Sequence, residues 1–219
     1  KLTAKSGFEI KLTADHMVFT INRGFVKAYE LTKDDYIIIP SCAVGEINEF
    51  EDYEFYQLLG IYLGDGGSGK ISNTRGISLS MSKKSEIKIL EKFSEYVATN
   101  YERITHKNSP ASVQITKTSA KYVITNTILM NKIAQMVDLS LPSHQKCISD
   151  KIFNLSLSEQ KFVLQGLFTS DGTVANYGEK SQYISLDSTS LQLLKDVQIL
   201  LLGFGIKSKL YSNRRACKT

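Results

Sequence analysis

No run of roughly eighteen apolar residues occurs in this 219-residue chain, which argues against a membrane-spanning helix. Cysteine is scarce: Cys42, Cys147 and Cys217 stand far apart, without CxxC or zinc spacing. That argues against a disulfide framework and fits reduced thiols in a cytoplasmic protein. No signal-peptide pattern opens the chain, since Lys1-Leu2-Thr3 already reads as strand. Charge of one sign is only mildly in excess, with 27 Lys and Arg against 22 Asp and Glu. A net charge of +5 fits a polyanion partner but identifies none by itself. A hydrophobic content of 42% suffices for a core, so the expectation is a soluble, intracellular protein of one to two domains.

What the chain does have is a repeat. Leu58-Leu59-Gly60-Ile61-Tyr62-Leu63-Gly64-Asp65-Gly66 and Leu164-Gln165-Gly166-Leu167-Phe168-Thr169-Ser170-Asp171-Gly172 share Gly at the third place, a small residue at the seventh and Asp-Gly at the end. Gly60 and Gly64 lie four apart, as do Gly166 and Ser170, which places each pair on one helix face. Small residues there let two helix backbones approach closely. Gly in a helix costs about 1 kcal/mol relative to Ala, and close packing supplies the reason for it. Gly66 and Gly172 are expected at left-handed caps. Each Asp then sits at a helix C-terminus, where the dipole disfavours negative charge. Two carboxylates brought together there repel, and a divalent cation would resolve the conflict.

These two nonapeptides resemble the signature of the LAGLIDADG homing endonucleases. The sixth place, Leu63 and Thr169, departs from the acidic residue of that pattern. The resemblance implies an α+β fold of two pseudo-symmetric αββαββα repeats. The segment after the first nonapeptide fits: a turn at 66–69, hairpin strands at 70–73 and 76–81, and an amphipathic helix over 82–101 with Ile87, Leu90, Phe93 and Val97 in phase. A second hairpin (113–116 and 122–125) and a helix over 127–137, with Ile128, Leu129, Ile133 and Met136 on its apolar side, complete the first copy. In the second copy Ile184-Ser185-Leu186-Asp187 matches Ile77-Ser78-Leu79-Ser80, and a helix is expected over 189–202. By the repeat offset, the second copy is expected to stop before its own second hairpin.

The first forty residues differ. Phe8-Glu9-Ile10-Lys11-Leu12-Thr13 alternates as a strand does. Thr13-Ala14-Asp15-His16, followed by Val18-Phe19-Thr20, resembles the second conserved block of inteins, and Phe25-Val26-Lys27-Ala28 leading to Leu31 and Asp35 resembles the segment after it. Inteins often carry a LAGLIDADG endonuclease inside their all-β Hint splicing domain. The resemblance implies that Thr13 and His16 polarise the upstream scissile peptide. No nucleophile block precedes them and no His-Asn closes the chain, so this segment is not expected to splice alone. The expected organisation is residues 1–45, part of a splicing β-domain; 46–140, the first repeat; 141–160, a linker; and 161–219, the second repeat.

The resemblance further implies a catalytic pair, Asp65 and Asp171, holding Mg²⁺ (with Mn²⁺ able to substitute), assisted by the backbone carbonyls of Gly64 and Ser170. A basic residue stands near such pairs. Lys146-Cys147-Ile148-Ser149 matches the Lys-x-Ile-Pro of intein endonucleases except for Ser149, which makes Lys146 the candidate catalytic lysine. Sheets of this fold lie along the major groove of double-stranded DNA, where polar side chains read bases and lysines hold phosphates. Candidates are Lys70, Asn73, Arg75, Lys117, Lys121, Lys180, Gln182, Lys207 and Lys209, each otherwise an ordinary solvated side chain. Arg214-Arg215 is either a phosphate clamp or a basic tail. The reading is an intein-encoded, site-specific homing endonuclease that breaks both strands of a long asymmetric site in a host gene lacking the intein. It is expected to act as a monomer, with host-protein flanks as exteins. Two alternatives stay open: a DNA-binding protein of this fold that does not cut, and an RNA-binding maturase.

Overall fold

β1 (Leu2–Thr3) pairs antiparallel with β2 (Glu9–Ile10). The six-residue strand expected over 8–13 is thus reduced to two residues. Ile10 is 53% exposed, so its alternating side chains line no core and the pairing stops. β3 (Met17–Thr20) and β4 (Gly24–Lys27) form a hairpin around Gly24, whose φ of +68° suits glycine. Thr20 Oγ1 donates to the Gly24 carbonyl at 2.9 Å and accepts from the Arg23 amide at 3.2 Å, which closes the turn. Asp35 locks the following loop to it. Its carboxylate accepts from Arg23 Nε at 2.7 Å and from the Thr32 amide at 2.6 Å, and the Arg23 guanidinium holds the Asp35 carboxyl well below the usual range.

The computed structural model describes residues 1–39, 52–71, 74–82, 87–101, 111–115 and 119–211. They fall into two compact units, Lys1–Gly45 with Lys195–Thr219, and Glu46–Leu194. Within the first unit the Lys195 ammonium pairs with Glu9 at 2.6 Å. Gln198 Nε2 donates to the Ser6 and Ser208 carbonyls at 3.0 and 3.1 Å. Residues 195–211, expected from sequence in the second repeat, group with the N-terminal strands.

The second unit begins with α1 (Tyr53–Asp65), apolar nearly all round and accordingly buried: Phe55, Leu58, Leu59, Ile61, Tyr62 and Leu63 are at most 2% exposed. β5 (Gly66–Ile71) follows without a break, where a turn over 66–69 was expected. The chain can go straight into strand because Gly66 is extended. β6 (Thr74–Ser82), α2 (Ile87–Tyr101), β7 (Ala111–Ile115), β8 (Ser119–Ile124) and α3 (Thr127–Met136) complete the helix-strand-strand-helix-strand-strand-helix order. The four strands form one antiparallel sheet in the order β5-β6-β8-β7. Ile77, Leu79, Tyr122 and Ile124 of this sheet are fully buried, as are Leu90, Phe93 and Val97 of α2. Leu129 and Ile133 of α3 are buried as expected, but Ile128 is 45% exposed and Met130 takes the inward place.

After α4 (Asp150–Phe153), α5 (Leu157–Asp171) starts at a capping box. The Ser156 hydroxyl accepts from the Glu159 amide and the Glu159 carboxylate accepts from the Ser156 amide. β9 (Gly172–Asn176) and β10 (Gln182–Leu186) form an antiparallel hairpin, and α6 (Leu191–Gly203) follows. Among the described residues no helix is long and apolar enough to cross a membrane.

A candidate metal and nucleic-acid site

α1 and α5 run side by side with like ends together. At the N-terminal ends Tyr56 Oη donates to the Glu159 carboxylate at 2.6 Å and the Tyr53 and Phe162 rings lie 5.4 Å apart. At mid-helix only glycine fits. A Cβ on Gly60 would fall on the Val163 carbonyl oxygen, and one on Gly166 would fall on the Gln57 carbonyl oxygen. Toward the C-terminal ends a Cβ on Gly64 would strike the Ser170 hydroxyl and come within 2.8 Å of Asp171 Oδ2. Gly64 therefore makes room for the carboxylate that α5 delivers. The small residues at spacing four serve close packing, as the repeat implied.

The two helix ends match closely. Gly66 has φ −81° and ψ 150°, and Gly172 has φ −81° and ψ 148°. Each cap amide donates to the carbonyl four residues back, Tyr62 and Phe168 respectively. These caps are extended, not left-handed as expected. Glycine is needed for a different reason: a Cβ would collide with that same carbonyl.

Both Asp65 and Asp171 are partly buried. Burial pushes the Asp171 carboxyl up, the Lys146 ammonium opposes this, and the Asp187 carboxylate adds to the rise. The Asp187 amide also donates to the Asp171 carbonyl at 3.4 Å. Lys146 is only 4% exposed, and its Nζ donates to the carbonyls of Tyr62, Gly64 and Gly66 at 2.7, 3.2 and 2.8 Å. Burial lowers its pKa to about 8 against the pull of Asp171 and Asp65. The structure thus brings together Asp171, Asp65, Gly64, Ser170 and Lys146. The Gly64 carbonyl accepts from Lys146, and the Ser170 hydroxyl turns back to the Leu167 carbonyl at 3.0 Å.

Two participants escaped the sequence reading. Ser190, fully buried, donates to the Lys146 carbonyl at 2.6 Å and accepts from the Leu193 amide at 3.2 Å, capping α6. A Ser directly before an apolar periodic run was the available signal. Asp187 occupies the place of Ser80 in the matched strands, and that substitution was its signal. Among the described residues no group of three or more His, Cys, Asp or Glu could hold a metal ion. Cys147 forms no disulfide among the described residues.

The expected DNA-facing residues do not share one sheet face. Lys70 pairs with Arg75, and Arg75 alternates in phase with the buried Ile77 and Leu79. Lys121 pairs with Ser80 and lies on the opposite face. Lys180 and Gln182 are exposed at the β9–β10 hairpin end, while Lys207 and Lys209 are exposed beyond α6. Asn73, Lys117, Arg214 and Arg215 lie outside the described residues, as do Cys42 and Cys217. In the N-terminal unit Thr13 and His16 are exposed in one turn, with the His16 amide donating to the Thr13 carbonyl at 3.3 Å.

Residues 158–219 match the LAGLIDADG-like domain. The chain is 25% identical over 224 residues to the ribonucleoside-diphosphate reductase NrdEB subunit alpha of Bacillus subtilis (strain 168), spanning 98% of this chain and 20% of that protein. It is 30% identical over 168 residues to the probable translation initiation factor IF-2 of Thermococcus kodakarensis, spanning 74% of this chain and 13% of that one. To the replicative DNA helicase DnaB of a Synechocystis strain it is 28% identical over 220 residues, 95% of this chain and 24% of that protein. The chain thus spans a quarter or less of each. Two crystal structures of the homing endonuclease I-DmoI, in complex with DNA and Ca and with DNA and Mn, align with TM-scores of 0.53 and 0.51 at 18% and 17% identity. They cover 74% and 73% of this chain and 78% and 81% of theirs. The chain therefore has the mixed helix-and-sheet fold of the LAGLIDADG homing endonucleases, and the family match falls on its residues 158–219.

Proposed function

We propose that the chain is a site-specific DNA endonuclease that adds water across one P–O bond in each strand of a double-stranded target. The observation that carries this reading is the matched pair of helix ends, each terminating in Asp-Gly and packed at glycines that admit no side chain. Asp65 and Asp171 would hold divalent cations, Mg²⁺ in the cell with Mn²⁺ as a substitute. The donor set fits: hard carboxylate oxygens at two helix C-termini, one of them raised by burial against the pull of Lys146. Two protein carboxylates leave most coordination positions to phosphate and water. A cation bound there would lower the pKa of an attacking water and stabilise charge on the phosphate. The chain's own part is to fix the two carboxylates and lay a polyanion across them. Lys180 and Gln182, exposed, and the half-buried Lys121 are suited to that contact. The I-DmoI structures whose fold this chain shares are complexes with DNA and a divalent ion.

We also infer that the segment is an intein. Three proteins of unrelated activity match it over 13–24% of their lengths, which is the pattern of one module inserted in different hosts. The Thr13–His16 turn would then belong to the splicing domain. Such a protein acts inside the cell, on the uninterrupted form of its host gene. The test is Mg²⁺-dependent cleavage of a plasmid carrying that uninterrupted gene, by the parent and by Asp65→Asn and Asp171→Asn. A defined double-strand break by the parent alone is the expected result. Specific binding without cleavage in Mg²⁺ or Mn²⁺ would overturn the enzyme reading.

A further inference from the structure

A lysine ammonium has three N–H donors, and three backbone carbonyls receive those of Lys146: Tyr62, Gly64 and Gly66. These three flank Asp65 on both sides. Tyr62 and Gly64 belong to the last turn of α1 and Gly66 is its C-cap, where the dipole favours a cation. The side chain passes the Tyr62 ring, with Nζ 5.0 Å from its centroid. The main chain of Lys146 is fixed in turn by the Ser190 hydroxyl, itself held by the first turn of α6. An ammonium with every donor committed to backbone has none aimed at a phosphate or a water.

We propose that Lys146 is a positioning residue. It fixes the last turn of α1, and so the direction in which Asp65 is presented, and Ser190 keeps it in register. The proposal rests on Asp65 and Asp171 being the cation-holding pair, and it departs from the expectation that the lysine acts on the reacting atoms. The two roles predict opposite signs. Removing a positive charge beside two carboxylates strengthens cation binding if Lys146 is only an electrostatic neighbour. Removing the group that orients a ligand weakens cation binding, typically by about tenfold or more.

The experiment measures Mn²⁺ affinity of the full chain, without DNA, together with amide hydrogen exchange, for the parent, Lys146→Met and Ser190→Ala. Expected for Lys146→Met is Mn²⁺ binding about tenfold weaker. The Gly66 amide should exchange faster while the Gly172 amide, at the matching helix end, is unchanged. Ser190→Ala should shift both readouts the same way by less. Unchanged or tighter Mn²⁺ binding by Lys146→Met overturns the proposal, whatever exchange shows. If Lys146→Met does not fold, Ser190→Ala decides, and parental values for both readouts overturn it. If the parent binds no Mn²⁺, or Asp65→Asn and Asp171→Asn bind it as the parent does, the reading of the pair as a cation site fails. Exchange at Gly66 then decides the role of Lys146 alone.

Discussion

Ile77 and Ile184 occupy matching places in the two repeats, yet Ile77 is fully buried and Ile184 is 69% exposed. The helix ends preceding them are nearly superposable in φ and ψ. The difference lies in what lies beside each hairpin. β5 and β6 belong to a four-stranded sheet whose buried face includes Tyr122 and Ile124 from β8. Among the described residues β9 and β10 pair only with each other, and Val174, opposite Ile184, is 77% exposed. A short signature thus dictates the helix end and the strand that leaves it. Burial of that strand is set by elements far along the chain.

The largest effects should come from breaking what the repeats share. Gly166→Ala places a methyl on the Gln57 carbonyl, which cannot move as a side-chain tip could. We expect a loss at the upper end of about 1–3 kcal/mol for overpacking, measured by urea denaturation. Gly69→Ala, with open space around it, is the control and should change stability by no more than about 0.5 kcal/mol. Of the same order is the contrast between the isoleucines. Ile77→Ala should cost about 2–5 kcal/mol, whereas Ile184→Ala should stay within about 0.5 kcal/mol. Similar losses at both sites would break the comparison.

Much of this architecture was legible in the residues. Both Asp-Gly helix ends, the close glycine packing and the hairpins of the first repeat follow from spacing and periodicity. The start of β5 was not legible, because an extended Gly66 and a left-handed one look alike in sequence; only the carbonyl beneath it decides. Ile128 was placed inward by helical phase, but Met130 fills that place instead. In the site, Lys146 could be suspected from the segment it stands in. Its carbonyl partners could not, since they lie 80–84 residues away and offer no side-chain signature. Ser190 and Asp187 did leave signals, a Ser before an apolar run and a carboxylate in the place of Ser80, but neither signal names Lys146 or Asp171 as its neighbour.

The helix starts sharpen the comparison at smaller scale. α5 begins with a capping box, whereas Asp52 before α1 makes no side-chain cap and instead pairs with Lys132 and accepts from Tyr96 Oη at 2.7 Å. Ser156→Ala should cost about 1 kcal/mol by thermal or urea denaturation. A pH dependence accompanies it. Burial would raise the Glu159 carboxyl, but hydrogen bonds from the Tyr56 hydroxyl, the Ser156 hydroxyl and the Ser156 amide outweigh burial and lower it. The folded form therefore binds this proton less readily than the unfolded form. The stabilisation is present above the ordinary glutamate pKa and is lost as pH falls through the lowered value. Denaturation profiles from neutral to acid pH should show this loss in the parent and a smaller one in Tyr56→Phe.

The claim that the two helix ends make one site is tested most directly by Mn²⁺ binding to the parent, Asp65→Asn and Asp171→Asn. A shared site predicts that each single variant weakens the tightest binding event by about tenfold or more. Parental affinity in either variant would show that the two carboxylates act apart, and would contradict the account.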